Sequence, residues 1–452
     1  MGWTSHIGWR RLGAAAAFLG LGLGLPTIGT AQDEPIPAAL TPYRAQLTPV
    51  VVAGADSTQH YALLLPANYQ AQGPHPLLLL LDPRGRAMVP LARFGPTASR
   101  LGFVVMSSYN TLSDGAVEPN VAAVNAMLAD ATRALAFDPH RVYLAGFSGT
   151  ARLAYAFAIE LPGVVRGVIG SGAGPIPIER IATALGSDTT FLVYATAGRT
   201  DFNHDEVIGW NARLDAGHNP HRTVILPGEH SWLSADMAAD ALEWIDLHHG
   251  QPSAAQQAQY RDRRIAELDS LVRADDPLAA VRALGELARD FPSDSTAVAV
   301  RRRPDLRALD QKAGALRRRQ DERIRDDAAW TRKGRAILAS LLVPELAWSV
   351  DRIADSLGLA RIQHDALKGS VADRASAQRR LEWAFVNATF YGPRTYAAQQ
   401  AWAAVLLQLD LGRRIHPLYP EACQHAVAAM GALRLGPVQK RYPECAPSTA
   451  RP

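Results

Sequence analysis

Between about residue 50 and residue 250 the chain alternates short, continuous apolar runs with longer stretches of helical periodicity. HYALLLP, HPLLLLLDP, GFVVMSS, RVYLAG, VVRGVIGSG, FLVYATAG and HRTVILPG have strand length and no polar alternation. That is the pattern of strands in a sheet covered on both faces. Among the segments between them, PNVAAVNAMLADATRALAF and SADMAADALEWIDLHH are helix-length. In the second, Ser234 stands where a cap is needed, and Met237, Ala241 and Trp244 fall on one stripe. Strand–helix alternation predicts an α/β domain over residues 50–249, built on a doubly wound, mostly parallel sheet.

HGQPSAAQQAQ, at 249–259, reads as a linker, and strand signals stop beyond it. ADDPLAAVRALGELARDFP is a capped amphipathic helix closed by a proline. RPDLRALDQKAGALRRRQDERIRDDAAWTRKGRAILASLL predicts one or two long helices, and the run from Arg379 to Pro417 and PEACQHAVAAMGALRL predict more. A Tyr/Phe-bearing helix, a Gly-Pro turn and an Ala-rich helix resemble degenerate tetratricopeptide-type hairpins, although no strict period of about 34 residues is visible. The expectation for 260–452 is an all-α helical domain.

The termini and composition narrow the class. Arg10 and Arg11 precede LGAAAAFLGLGLGLP, and Gly29 and Ala31 stand three and one before an expected cut. This reads as a signal peptide over residues 1–31, with secreted or periplasmic localisation; the competing reading is an uncleaved membrane anchor. After cleavage no segment is apolar enough to span a bilayer stably. The two cysteines, Cys423 and Cys445, are expected to pair in an oxidising compartment or else to stay as free thiols. So few cysteines, without paired-histidine spacing, argue against a metal site. Charge divides unevenly. Residues 1–250 hold 15 arginines and no lysine against 20 acidic residues, a net of −5, and the remainder carries +9, giving +4 for the chain. The Arg-rich stretches of the second half interleave with acids, which fits solvated helix faces rather than a nucleic-acid surface.

The candidate chemistry starts at VYLAGFSGTA, residues 142–151. An apolar strand runs to Gly146, Ser148 sits in a turn between Phe147 and Gly149, and a helix follows at once. A nucleophile elbow needs that strand–serine–helix context and small neighbours; an ordinary strand–helix turn is the rival reading. A nucleophilic serine needs a base to take its proton and an acid to orient the base, in chain order Ser, acid, His. Asp201, three residues past Gly198 in the turn leaving FLVYATAG, is the candidate acid. Asp205 is the reserve and is expected to cap the next helix. His230, in the loop after HRTVILPG, is the candidate base. Of the 13 histidines only this one combines the chain order with a strand end. Two backbone N–H groups must face the developing oxyanion. Gly149 is the first candidate. The second must come from the loop Asp82-Pro83-Arg84-Gly85-Arg86; since Pro83 has no N–H, Arg84 or Gly85 supplies it. The side chains of Arg84 and Arg86 are candidate partners of a substrate carboxylate, or else surface arginines.

FDPHRVYLAGFSGTAR, with GRTDFNH and GEHSW downstream, resembles α/β-hydrolase fold serine esterases, in particular secreted enzymes of the polyhydroxybutyrate depolymerase-like and feruloyl-esterase-like type. The D-P-x-R-V-Y turn of that group is matched by Asp138, Pro139, Arg141, Val142 and Tyr143. The resemblance covers about residues 58–250. It implies a Ser148, Asp201, His230 triad, cleavage of a small-molecule or polymeric ester through an acyl-enzyme, and no metal or organic cofactor. Two departures stand out: Asp82-Pro83 replaces the His-Gly often found after the third strand, and Thr150 replaces the last glycine of the elbow. A serine peptidase with the same triad, and an inert hydrolase-fold binding or scaffold protein whose helical domain holds a protein partner, are the alternatives.

Overall fold

The computed structural model describes residues 34–69, 73–175, 191–217 and 220–446. The signal peptide expected at 1–31 lies outside the described residues. By their contacts the described residues form two compact units: those up to 198 with those of 203–317, and 199–202 with 318–446.

Among the described residues the first unit holds eight strands: β1 (Leu47–Val52), β2 (His60–Leu64), β3 (His75–Leu81), β4 (Val104–Ser108), β5 (Phe137–Phe147), β6 (Val165–Ser171), β7 (Leu192–Gly198) and β8 (His221–Leu226). Their order in the sheet is β1-β2-β4-β3-β5-β6-β7-β8. β1 pairs antiparallel with β2, β2 antiparallel with β4, and the remaining pairings are parallel. Seven strands fall on the predicted runs. β1 was not among them, because LTPVVV carries Pro49 and a register shift between Thr48 and Val51, both features of an edge strand.

Helices flank both faces: α1 (Met88–Arg100), α2 (Glu118–Ala134), α3 (Gly149–Glu160), α4 (His204–Gly217) and α5 (Ala235–His249). β3 shows why its sequence is a continuous apolar run. Leu78 and Leu80 join one buried cluster with Phe94 of α1 and Trp244 of α5. Leu77, Leu79 and Leu81 join the opposite cluster with Met127 of α2, Phe157 of α3 and Trp210 of α4. Every side chain of the strand is buried, as a two-sided parallel sheet requires. Ser234 caps α5 as expected, accepting from the Met237 amide at 3.3 Å.

Strand–helix alternation ends near residue 250, but the compact unit runs on to Arg317. It adds α6 (Ala254–Arg273), α7 (Pro277–Asp290), α8 (Ser295–Arg301) and the start of the long α9 (Pro304–Ala339). Tyr260, Leu268, Leu287 and Leu306 from these helices, with Phe291 just after α7, extend the first cluster. The expected linker at 249–259 is therefore much shorter. Ser253 and Gln256 form a capping box that starts α6, a signal the Pro/Ser/Gln composition masked.

The second unit is helical: the rest of α9, α10 (Val350–Leu357), α11 (Leu359–Lys368), α12 (Val371–Val386), α13 (Gly392–Ala398), α14 (Trp402–Arg413) and α15 (Pro420–Ala432). The Gly-Pro turn expected near 392 is not a break. A π-helical turn, Asn387–Tyr391, leads straight into α13, where Pro393 sits in the first turn and needs no N–H partner. The break falls at residues 399–401 instead. Cys423 and Cys445 are disulfide-bonded, so the expected pairing holds.

Candidate active site

Ser148 is the last residue before α3 and has φ 55°, ψ −124°. A non-glycine residue costs about 1–3 kcal/mol in such sparsely populated backbone and persists only where its surroundings enforce it. Here the Ser148 amide donates to the Ser171 carbonyl at 2.8 Å, extending the β5–β6 pairing through the turn. Gly146 is obligatory: a Cβ there would stand 2.3 Å from the Thr150 carbonyl oxygen and 2.6 Å from the Ala151 amide. Thr150 explains itself. Its buried hydroxyl accepts from the Phe147 amide at 3.1 Å and lies 2.5 Å from the Leu81 carbonyl oxygen, tying the elbow to the end of β3. A glycine at 150 would lack that tie.

Gly149 opens α3, so its N–H is one of the four at the head of a helix without an intrahelical partner. It is also packed tightly, since a Cβ there would meet Ser113 Cβ at 2.4 Å. Ser113 is held by its amide, which donates to the Pro83 carbonyl at 2.9 Å. Sequence reasoning gave no signal for this neighbour, because it comes from an irregular loop after β4.

His230 lies in the loop after β8, and its ring comes to the elbow. Its centroid is 4.5 Å from that of Phe147, the residue before Ser148. Its Cε1 and Nδ1 each lie 3.0 Å from where a Cβ on Gly172 would stand. Gly172, at the end of β6, has φ +63° and donates its amide to the Thr196 carbonyl at 2.7 Å. Both the backbone and the imidazole thus demand glycine there. GSG at a strand end was the available signal. Gly198 is equally constrained: a Cβ would stand 2.4 Å from the Gly228 carbonyl oxygen, which brings the end of β7 against the histidine loop.

Asp201 follows β7 by three residues and has no accessible surface. Its segment, 199–202, groups with the second unit. There the Phe202 amide donates to Glu382 Oε2 at 3.2 Å, and Arg379 Nη1 donates to the Arg199 carbonyl at 3.3 Å. The reserve acid Asp205 lies in the first turn of α4, 2.8 Å from the Nδ1 of His204.

The loop after β3 turns inward. Asp82 Oδ1 accepts from the amides of Arg84 at 2.9 Å and Arg86 at 3.3 Å, and the Gly85 amide donates to the Asp82 carbonyl at 3.3 Å. The Arg86 guanidinium grips both oxygens of the same carboxylate at 3.1 Å. Arg86 is thereby committed within the protein, which removes it as a candidate substrate anchor. Use of the Arg84 amide as second oxyanion donor requires it to exchange its bond to Asp82.

Among the described residues no group of three or more metal-ligating side chains is present, and no helix is long and apolar enough to cross a membrane.

No family model and no curated protein matches the chain. Among solved structures, it is similar to an S-formylglutathione hydrolase from Staphylococcus aureus (13% identity, TM-score 0.35, covering 41% of this chain and 90% of that one). It is similar also to an S-formylglutathione hydrolase from Agrobacterium tumefaciens (12%, TM-score 0.36, 44% and 93%) and to Thermogutta terrifontis esterase 2 phosphonylated by sarin (13%, TM-score 0.36, 45% and 96%).

Proposed function

We propose that the chain is a serine hydrolase that cleaves carboxylic esters, with Ser148 as nucleophile and His230 as base. The observation that carries this reading is the strained Ser148 at a strand-to-helix turn, with the His230 ring packed on Phe147 beside it. A backbone held at φ 55° lifts one serine hydroxyl out of the sheet at the head of a helix, where partial positive charge favours an anion.

In this reading His230 takes the proton as Ser148 Oγ attacks the acyl carbon. The Gly149 N–H stabilises the oxyanion, with the Arg84 amide as second donor once it leaves Asp82. The imidazolium then gives its proton to the leaving alcohol, and an acyl-enzyme remains. A water deprotonated by His230 releases the acid. Asp201 completes the triad as the group that fixes the imidazole tautomer; its support is chain order, full burial and the packing of Gly198 against the histidine loop. Export to the periplasm or outside the cell, and a protein partner held by the helical unit, belong to the same proposal.

Parallel assays on nitrophenyl esters and aminoacyl anilides test it. The account expects ester turnover well above anilide turnover. Anilide turnover alone would move the assignment to the peptidases, and neither would leave the scaffold reading. Replacement of Ser148 by alanine should cost on the order of 10³-fold or more in kcat/KM.

A further inference from the structure

We propose that Asp82 is a positioning residue for the His230 base and acts through the indole N–H of Trp232; this rests on the reading of Ser148 and His230 given above. The loop that carries His230 is exposed on one side, at Pro227, Gly228, Glu229 and Ser231. What holds it lies on the other side. Trp232 Nε1 donates to Asp82 Oδ2 at 2.9 Å. The Leu233 amide donates to Ser171 Oγ at 3.3 Å, and Arg93 Nη1 donates to the Leu233 carbonyl at 3.2 Å. The Trp232 ring packs 5.7 Å from Phe147 and 6.2 Å from Phe94, and Phe147 in turn carries the His230 ring.

Asp82 has no accessible surface, and a carboxylate in that position is costly to hold unless every lone pair is used. Five donors reach it, the amides of Arg84 and Arg86 and the Nε of Arg86 on Oδ1, and the Nη2 of Arg86 and the Trp232 indole on Oδ2, so each oxygen keeps two when the Arg84 amide turns to an oxyanion. Four of them come from the loop after β3, and the fifth comes from two residues beyond the base. A hydrogen bond to a charged acceptor is stronger and more directional than ring packing alone. The carboxylate therefore fixes the rotation of the Trp232 ring, and so the facing of Phe147 and His230. It also joins the histidine loop to the loop whose Pro83 carbonyl anchors Ser113 against Gly149. The Asp-Pro that departs from the family's His-Gly thus acquires a function of its own.

Trp232→Phe keeps the ring and removes the N–H. Trp244→Phe is the matched control: Trp244, on α5, is likewise buried and donates to Asp290 Oδ1 of α7 at 3.1 Å. Three quantities are read for each: the rate of inactivation by a fluorophosphonate, kcat and KM on a nitrophenyl ester, and the thermal midpoint. The expectation is that Trp232→Phe slows inactivation and lowers kcat by about 10- to 100-fold with KM within about twofold, the cost of a slightly misplaced base. Trp244→Phe should lower the midpoint and leave both rates within about twofold. Equal rates in both variants, or equal slowing in both, would overturn the proposal. Should Trp232→Phe fail to fold, Asp82→Asn is read by the same criteria. A wild type that the probe labels no faster than Ser148→Ala would sink the underlying assignment of Ser148, a result distinct from either of these.

Discussion

Two regions of the first unit bury ionisable groups and use them in opposite ways. Along the outer strand β8, Arg222 is buried and binds Asp240 at 3.1 Å, Glu286 at 2.7 Å and Glu267 at 3.0 Å. Tyr194 donates to Asp240 at 2.6 Å, and the Thr223 amide to Glu286 at 3.0 Å. Burial pushes the Glu286 and Glu267 carboxyls up, against the pull of Arg222. At the C-terminal rim of the sheet there are fewer charges. There, however, Ser148 has a strained backbone, Gly146, Gly149 and Gly172 tolerate no side chain, and the His230 ring remains partly exposed. The cluster at β8 docks α6 and α7 onto an edge that would otherwise be open. The rim, with less charge, carries the proposed nucleophile and base, Ser148 and His230. Density of buried charge is thus a poor guide to chemistry; strain and close backbone approach at strand ends are better guides.

Arg222→Leu should break that comparison most forcefully on the structural side. Removing the cation leaves carboxylates buried without their partner and should cost about 3–5 kcal/mol in denaturant unfolding, while kcat/KM of the folded fraction stays within about twofold. Gly172→Ala should do the reverse. The new methyl presses on the imidazole and forces alanine to positive φ, so kcat/KM should fall about 10- to 100-fold with about 1–3 kcal/mol lost in stability. A smaller effect concerns pH. Burial, with repulsion from Arg166 and His248, holds His249 down at about 4 from an ordinary 6.5. A base depressed in the folded state binds fewer protons there than when unfolded, so its contribution is intact above about pH 6.5 and is lost as pH falls toward 4. The thermal midpoint should therefore drop across that window, and His249→Phe, which keeps a ring beside Tyr143, should flatten the drop.

Much of this was legible in the sequence because local pattern and tertiary role coincided. Seven strands were apolar runs, and Ser148 and His230 stood at the ends of two of them. What was missed depends on contacts far apart in the chain. Trp232 meets Asp82 across 150 residues, and Ser113 meets Gly149 through a loop with no periodicity. The extent of the first unit was hidden for the same reason. Arg222 lies on a strand and its partners Glu267 and Glu286 on later helices, and nothing in local composition announces that they meet.

The central claim is that one hydroxyl, at position 148, is activated by the imidazole at 230. Intact-mass and peptide mapping after fluorophosphonate treatment tests it most directly. The account predicts a single adduct, on the peptide that contains Ser148, absent from Ser148→Ala and formed at least about 10²-fold more slowly in His230→Ala. An adduct at another residue, or none on folded wild-type protein, would contradict it.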